Sequence, residues 1–457
     1  MGDGTAFLFP GQGAYLESVF TELRRHRVEV AEVFAEIDAS VAGSDHVAPI
    51  SPILLRDAPP TLDTLLDTDP DTLQLALYGT SLAIHRILTA EGVKPAVLVG
   101  HSLGEIAALV AAGAFGVGEG AVVVARRSAA LRSAAGPGTD TGAGGMLALG
   151  AGVRRVLGLV EFVGAAGLVV AVENSPRQTV VSGPEAALAP VHDIARRAGI
   201  ESVRVRSPYP FHGPLLAAAA DAFHRDIRDL RRSWFRLPVY SPILGRHYTD
   251  EDDLGSLLAS HLTRRVHFLG ALRHLHDTGT DVFVECGARN TLTRLVRKSL
   301  PEVNAIACTV AGRSPVVSLR EAVDELRGGP ATSPSPVGEH ASTADVPAAH
   351  VPIPDVPAVS DTSRVPAPPL DRAGVIDGIT RMYARAVEYP EEVFTEDVEL
   401  EADLGIDSVK QTELLARVAE QYGLPELTAD FRIGRYGTLG RIADLVITHG
   451  SGVPVPA

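Results

Sequence analysis

The chain has 457 residues, 46% of them hydrophobic and 21% charged, with a formal net charge of −15. That length exceeds one ordinary core and asks for two or three domains. The acidic balance argues against a nucleic-acid binder that contacts phosphates, and no apolar run reaches the ~18–20 residues that span a bilayer. Two cysteines, Cys286 and Cys308, make no disulfide framework and suit a reducing cytoplasm. The start, Met1-Gly2-Asp3-Gly4, lacks the basic region of a signal peptide.

In chain order, strand-like and helix-like runs alternate, the pattern of an α/β domain. Phe7-Leu8-Phe9 runs into the turn Pro10-Gly11-Gln12-Gly13, and Gln74 opens an apolar helix. Ala96-Val97-Leu98-Val99 leads into Gly100-His101-Ser102-Leu103-Gly104 and then the apolar run Ile106–Val110. That is strand, tight turn and helix, with a hydroxyl at the apex. Such a strained turn needs small flanking residues, and a helix N-terminus favours negative charge developing there. Taken alone, the pattern equally fits a plain glycine-flanked turn.

Arg127 has apolar helical neighbours at three and four residues, Val123, Val124, Ala130 and Leu131. A guanidinium on that face either grips a carboxylate through two parallel hydrogen bonds or snorkels outward, as adjacent Arg126 can. Next, residues 146–149 read as a strand and 152–163 as a helix. Two strands follow around Asn174-Ser175-Pro176, then a helix over 185–198 and a strand at 202–205. This βαββαβ order predicts a ferredoxin-like subdomain, about 143–206, inserted into a larger α/β-hydrolase-like body. His212, one of 15 histidines, follows Ser207-Pro208-Tyr209-Pro210-Phe211. Phe283-Val284-Glu285-Cys286-Gly287 is another strand entering a glycine turn.

Residues 328–371 are rich in Pro, Ala, Ser and Thr and read as an extended linker between a front domain, 1–327, and a back domain, 372–450. The back domain reads as helices only. Apolar faces recur at Ile376, Ile379 and Met382-Tyr383, at Leu414-Leu415 and Val418, and at Leu439, Ile442 and Val446. From Asp371 onward there are 16 acids against 8 bases. Ser408, in Leu404-Gly405-Ile406-Asp407-Ser408, stands where a helix should start, as a helix cap or as an attachment point.

The front motifs, in this order and spacing, resemble the malonyl-CoA:acyl carrier protein transacylases and the acyltransferase domains of polyketide synthases, over about residues 5–315. The resemblance implies Ser102 as nucleophile and His212 as general base and acid. It implies an oxyanion hole from the backbone N–H groups of Gln12 and Leu103, with Gln74 and Asn174 among the substrate-binding residues. A backbone carbonyl from the Val239-Tyr240-Ser241-Pro242 strand end is expected to orient the imidazole. Arg127 falls at the family's position for the residue that grips a free carboxylate. Phe211, just before the histidine, implies malonyl over methylmalonyl, although Tyr209-Pro210 departs from the common His-Ala pair.

The back domain resembles acyl carrier proteins. That implies 4'-phosphopantetheine on Ser408, and no metal in the transfer chemistry. The expected protein is a cytoplasmic acyltransferase–carrier didomain of polyketide-type biosynthesis. Its expected partners are malonyl-CoA or a related acyl-CoA, its own or other carrier domains, a ketosynthase and a phosphopantetheinyl transferase. Two alternatives stay open: a hydrolase that edits stalled acyl thioesters, and a carrier scaffold using another acyl-CoA.

Overall fold

A computed structural model describes residues 4–42, 47–135 and 144–328, and most of the helical residues between 372 and 449. The predicted linker lies outside the described residues apart from Gly328. The chain divides into two compact units, 1–329 and 330–457. No helix among the described residues is long and apolar enough to cross a membrane.

The first unit is built on a six-stranded sheet. Its strands are β1 (Thr5–Phe9), β2 (Val97–Gly100), β7 (Val239–Ser241), β8 (Arg246–His247), β9 (Val282–Glu285) and β10 (Asn304–Ala307), in the order β10-β9-β1-β2-β7-β8. All pairs are parallel except β7 with β8. Every residue of β1 and β2 is buried, as expected of a parallel sheet covered by helices on both faces. Phe9 lies in register with Gly100, so the turns after β1 and β2 emerge side by side at the carboxyl edge, where open α/β sheets place their ligands.

Local chemistry sets the elements that matter to that edge. The helix Pro70–Ala90 starts where Asp69 accepts from the Thr72 N–H at 3.1 Å, with Pro70 in its first turn. Gln74 therefore sits in a buried second turn rather than at a helix start. The turn between β2 and the helix Gly104–Ala111 tolerates no side chains at its glycines. A Cβ on Gly100 would fall 2.1 Å from the Glu105 nitrogen, and one on Gly104 would fall 1.9 Å from the Phe9 carbonyl oxygen.

A second sheet comprises β3 (Gly145–Leu149), β4 (Val169–Ser175), β5 (Gln178–Gly183) and β6 (Ser202–Arg204) in the order β4-β5-β3-β6, all antiparallel. With the helices Val153–Val163 and Glu185–Arg197 this is the ferredoxin-like arrangement. The strand period of two gives its sheet two jobs. Leu147 and Leu149 face the subdomain's own helices, whereas Met146 and Ala148 face the sheet edge of the main body.

The second unit holds the helices Arg372–Val387, Ser408–Tyr422 and Leu439–His449. Their apolar stripes meet in one core around Ile379, Tyr383, Leu414, Val418, Ile442 and Val446.

Candidate active site

Ser102 sits at the apex of the β2 turn with φ +56°. A non-glycine residue in that left-handed region costs on the order of 1–3 kcal/mol and persists only where the surroundings hold it. Its Oγ lies 2.7 Å from His212 Nε2. His212 also has a positive φ, +61°. Two strained residues thus face each other across one hydrogen bond.

The histidine is held from behind by the segment 261–267. The His212 N–H donates to the Leu262 carbonyl at 2.8 Å, and Nδ1 lies 3.0 Å from the Arg264 carbonyl oxygen. A carbonyl only accepts, so Nδ1 carries the proton and Nε2 is left to accept from Ser102. Burial, with the His101 and Arg127 charges adding, pushes His212 down to about 3. The imidazole is therefore neutral and able to take a proton at any ordinary pH.

The orienting carbonyl is not where the sequence placed it. The Val239–Pro242 strand end spends its acceptors elsewhere. Ser241 O accepts from Gly245, Ser241 Oγ from the Ile243 and Leu244 N–H groups, and Pro242 O from His267. The turn into β8 uses those groups, and the Arg264 carbonyl takes the expected role instead.

Ser102, His101, Phe211 and His212 open onto a cleft of about 340 Å³. The small subdomain roofs it with Met146, Ala148, Val172 and Val180. Asn174, at the end of β4, accepts through its Oδ1 from His101 Nε2 at 2.8 Å, so Nε2 of His101 carries the proton. The Asn174 amide donates in turn to Gln178 Oε1 at 3.0 Å. This chain ties the subdomain to the residue beside Ser102. Gln12 also lines the cleft, and its side chain donates to the Arg206 carbonyl at 3.0 Å. Gly11 closes against the elbow formed by the β2 turn: a Cβ there would lie 2.8 Å from the His101 carbonyl oxygen. The helix Thr291–Ser299 adds Arg294 and Lys298 to the cleft wall, two cations that sequence reading did not single out.

Arg127 and Gln74 stand one layer deeper than the cleft surface. Arg127 is buried, and its guanidinium carbon lies 4.9 Å from the centre of the Phe211 ring. It donates to Gln74 Oε1 at 3.2 Å. Among the described residues no carboxylate pairs with it. Burial lowers it to about 10, so it stays charged at neutral pH. A desolvated cation stacked on an aromatic face and held by one neutral amide is a site short of an anion.

Sequence reading also passed over a buried polar cluster behind Ser102. Glu105, with no exposed surface, receives the Tyr248 hydroxyl at 2.8 Å, and Tyr248 lies 3.0 Å from His261 Nε2. The available signal was an acid three residues after the serine inside an otherwise apolar helix.

In the second unit, Ser408 is the first residue of its helix. Ile406, two residues ahead of it, accepts from Gln411 Nε2 at 2.7 Å and donates its N–H to the Leu400 carbonyl at 2.8 Å. A primary hydroxyl at the start of a 15-residue helix fits a phosphodiester, which the free N–H groups and dipole of a helix start favour. Among the described residues no cluster of His, Cys, Asp and Glu could hold a metal ion.

Comparison with known proteins places the chain in a family. The acyl transferase domain family matches residues 6–316, and the phosphopantetheine attachment site family matches residues 377–446. The Spectinabilin polyketide synthase system protein NorA' of Streptomyces orinoci is 33% identical over 300 residues, 65% of this chain and 8% of that protein. A phenolphthiocerol synthesis polyketide synthase of Mycobacterium marinum is 28% identical over 327 residues, 70% of this chain and 15% of that protein. The chain thus spans a small fraction of the length of these relatives. Among solved structures, a malonyl-CoA:acyl carrier protein transacylase of Xanthomonas oryzae superposes with a TM-score of 0.63 at 28% identity, over 71% of this chain and 99% of that one. The acyltransferase domain from the second module of the salinomycin polyketide synthase gives 0.62 at 29% identity, over 72% and 74%. The chain belongs to the acyl transferase domain family and carries, after that domain, a carrier domain of the phosphopantetheine-attachment type.

Proposed function

We propose that this chain takes a malonyl group from coenzyme A onto Ser102 and passes it to a phosphopantetheine thiol, its own at Ser408, in polyketide-type assembly. The observation that carries the reading is the buried Arg127 guanidinium, charged, with no carboxylate partner among the described residues, and stacked on Phe211 of the Ser102–His212 cleft. A dicarboxylic acyl group brings the missing anion.

The chain's residues divide the work as follows. Ser102 Oγ attacks the thioester carbonyl while His212 Nε2 takes its proton. The Arg264 carbonyl steadies the imidazolium that forms, through Nδ1–H. Backbone N–H groups of Gln12 and Leu103 receive the oxyanion, a reading supported by the close fit of Gly11 against the elbow. His212 then returns the proton to the departing thiolate. Phosphopantetheine on the carrier supplies a thiol on a flexible arm, the acyl acceptor. Phe211, stacked on Arg127 and lining the cleft, fills the space beside the acyl α-carbon. The partners in this reading are malonyl-CoA, a phosphopantetheinyl transferase that installs the arm, and a ketosynthase that consumes the loaded carrier. The two buried free thiols, Cys286 and Cys308, fit work in the cytoplasm.

The test follows both fates of the acyl group. Holo protein given malonyl-CoA should accumulate malonyl on the carrier faster than it releases malonate. Release of free acid from monoacyl-CoA substrates faster than carrier loading would replace the transferase reading with a hydrolase.

A further inference from the structure

The geometry points to a function for the buried cluster behind Ser102. We propose that Glu105, Tyr248 and His261 form an internal strut that sets His212 at its distance from Ser102, with Glu105 and Tyr248 as positioning residues. The inference rests on the Ser102–His212 reading given above.

The strut joins the two elements that carry the reacting side chains. Glu105 lies in the helix that begins directly after the Ser102 turn, and its backbone N–H donates to the Ser102 carbonyl at 3.0 Å. Any shift of Glu105 therefore moves the serine. Tyr248 donates its hydroxyl hydrogen to Glu105 Oε2, so its oxygen can only accept from His261, whose Nε2 must then carry the proton. His261 opens the segment that seats His212. One residue on, the Leu262 carbonyl takes the His212 N–H, and three residues on, the Arg264 carbonyl takes Nδ1–H.

The segment's far end is fixed independently. Val266 exchanges backbone hydrogen bonds with Ala171 and Glu173 of β4, and Arg265 pairs with Glu173 at 2.9 Å. Its near end runs on from the helix Leu254–Ser260, with the His261 and Leu262 N–H groups bonded to the Leu258 and Ala259 carbonyls, and the strut adds the tie from that end to the helix of Glu105. The three groups are shut away from water: Glu105 is 0%, His261 5% and Tyr248 6% exposed. Burial pushes Glu105 up to about 8 and His261 down to about 3. An acid kept in an apolar helix at that cost needs a reason other than solubility. Holding two strained residues, Ser102 and His212, 2.7 Å apart is such a reason.

The experiment uses the full holo chain and five variants: Tyr248→Phe, Glu105→Gln, Glu105→Ala, Ser102→Ala and His212→Ala. Tyr248→Phe removes one hydroxyl and little volume. It should lower kcat for malonyl transfer by ~10–100-fold, because small misplacements of reacting groups have effects of that size. KM should stay within about twofold, the mark of an interaction that acts in the transition state. Glu105→Gln still accepts from Tyr248 and should keep most of the rate, whereas Glu105→Ala should lose it. In histidine-labelled protein, the Nδ1–H resonance of His212, assigned by its loss in His212→Ala, should move in Tyr248→Phe. Ser102→Ala separates the two levels of the argument. If it still forms acyl-enzyme, the Ser102 reading itself fails. If it is dead while Tyr248→Phe keeps a wild-type kcat and an unmoved His212 resonance, only the strut is overturned. A Tyr248→Phe chain that loses rate, KM and melting temperature together, with the resonance unmoved, also overturns it.

Discussion

Replacing Arg127 with alanine separates carboxylate recognition from the rest of catalysis. The guanidinium is buried, charged and stacked 4.9 Å from the Phe211 ring, and its side-chain hydrogen bond goes to Gln74. A malonyl carboxylate would meet it by charge-assisted hydrogen bonds worth ~1.5–3 kcal/mol. At about 1.4 kcal/mol per decade, that is a loss of roughly 10- to 150-fold in kcat/KM for malonyl-CoA. Acetyl-CoA has no such anion, so it loses no contact when the guanidinium is removed. The acetyl rate should therefore hold, and the malonyl-to-acetyl preference should collapse by the full factor. Arg127→Lys keeps the charge but loses the fork, and should fall between the two. Initial rates of acyl-enzyme formation with each CoA ester, at matched folded fraction, measure it. An equal loss on both substrates would refute the argument and make Arg127 a packing residue.

Three further outcomes follow from named features. Phe211→Ser should shift relative kcat/KM toward methylmalonyl-CoA by ~10- to 200-fold, the range one methyl group commands. Malonyl turnover should fall at the same time, since Arg127 loses its aromatic face; an unchanged preference measured by substrate competition would show that Phe211 does not border the α-carbon. The buried groups also set a pH dependence of stability. His212 and His261 are pushed from 6.5 down to about 3 and His85 to about 4, so the unfolded chain binds more protons below 6.5 and stability falls there. Glu105 and Glu285 are pushed from 4.5 up to about 8 and about 7, so their contribution is lost as pH rises through those values. Melting temperature should peak between 4.5 and 6.5, where the two sets oppose each other; a rise from 6.5 to 8 would contradict these assignments. Finally, the tether should favour loading in cis. The Pro-, Ala-, Ser- and Thr-rich segment of 44 residues, 328–371, joins the two domains, and a tether of that length gives effective concentrations on the order of a millimolar. Mixed Ser102→Ala and Ser408→Ala chains should load slowly and in proportion to concentration; loading as fast as the intact chain would place the acceptor on another protein.

Much of the first unit was legible because its signals are local. A buried parallel strand, a glycine turn and a helix follow one another around Ser102, and the clashes that any Cβ at Gly100 or Gly104 would make show why the spacing is rigid. The subdomain's strands and helices were legible from their period, including the turn that presents Asn174. The orienting carbonyl was not, because a backbone oxygen leaves no mark on residue type: Arg264 could be almost any residue. Glu105, Tyr248 and His261 come from two separate stretches of chain, and only the folded sheet brings them together. Gln74 was singled out by motif, yet its contact with Arg127, 53 residues away, needed the packing of two helices to appear.

The most direct measurement locates the acyl group. Holo protein is exposed briefly to malonyl-CoA, quenched, digested and mapped by peptide mass, in the intact chain and in Ser102→Ala. The account predicts malonyl on the Ser102 peptide at the earliest times and on the Ser408 pantetheine peptide later, with both absent in Ser102→Ala. A malonyl group reaching Ser408 at an undiminished rate in Ser102→Ala would contradict it.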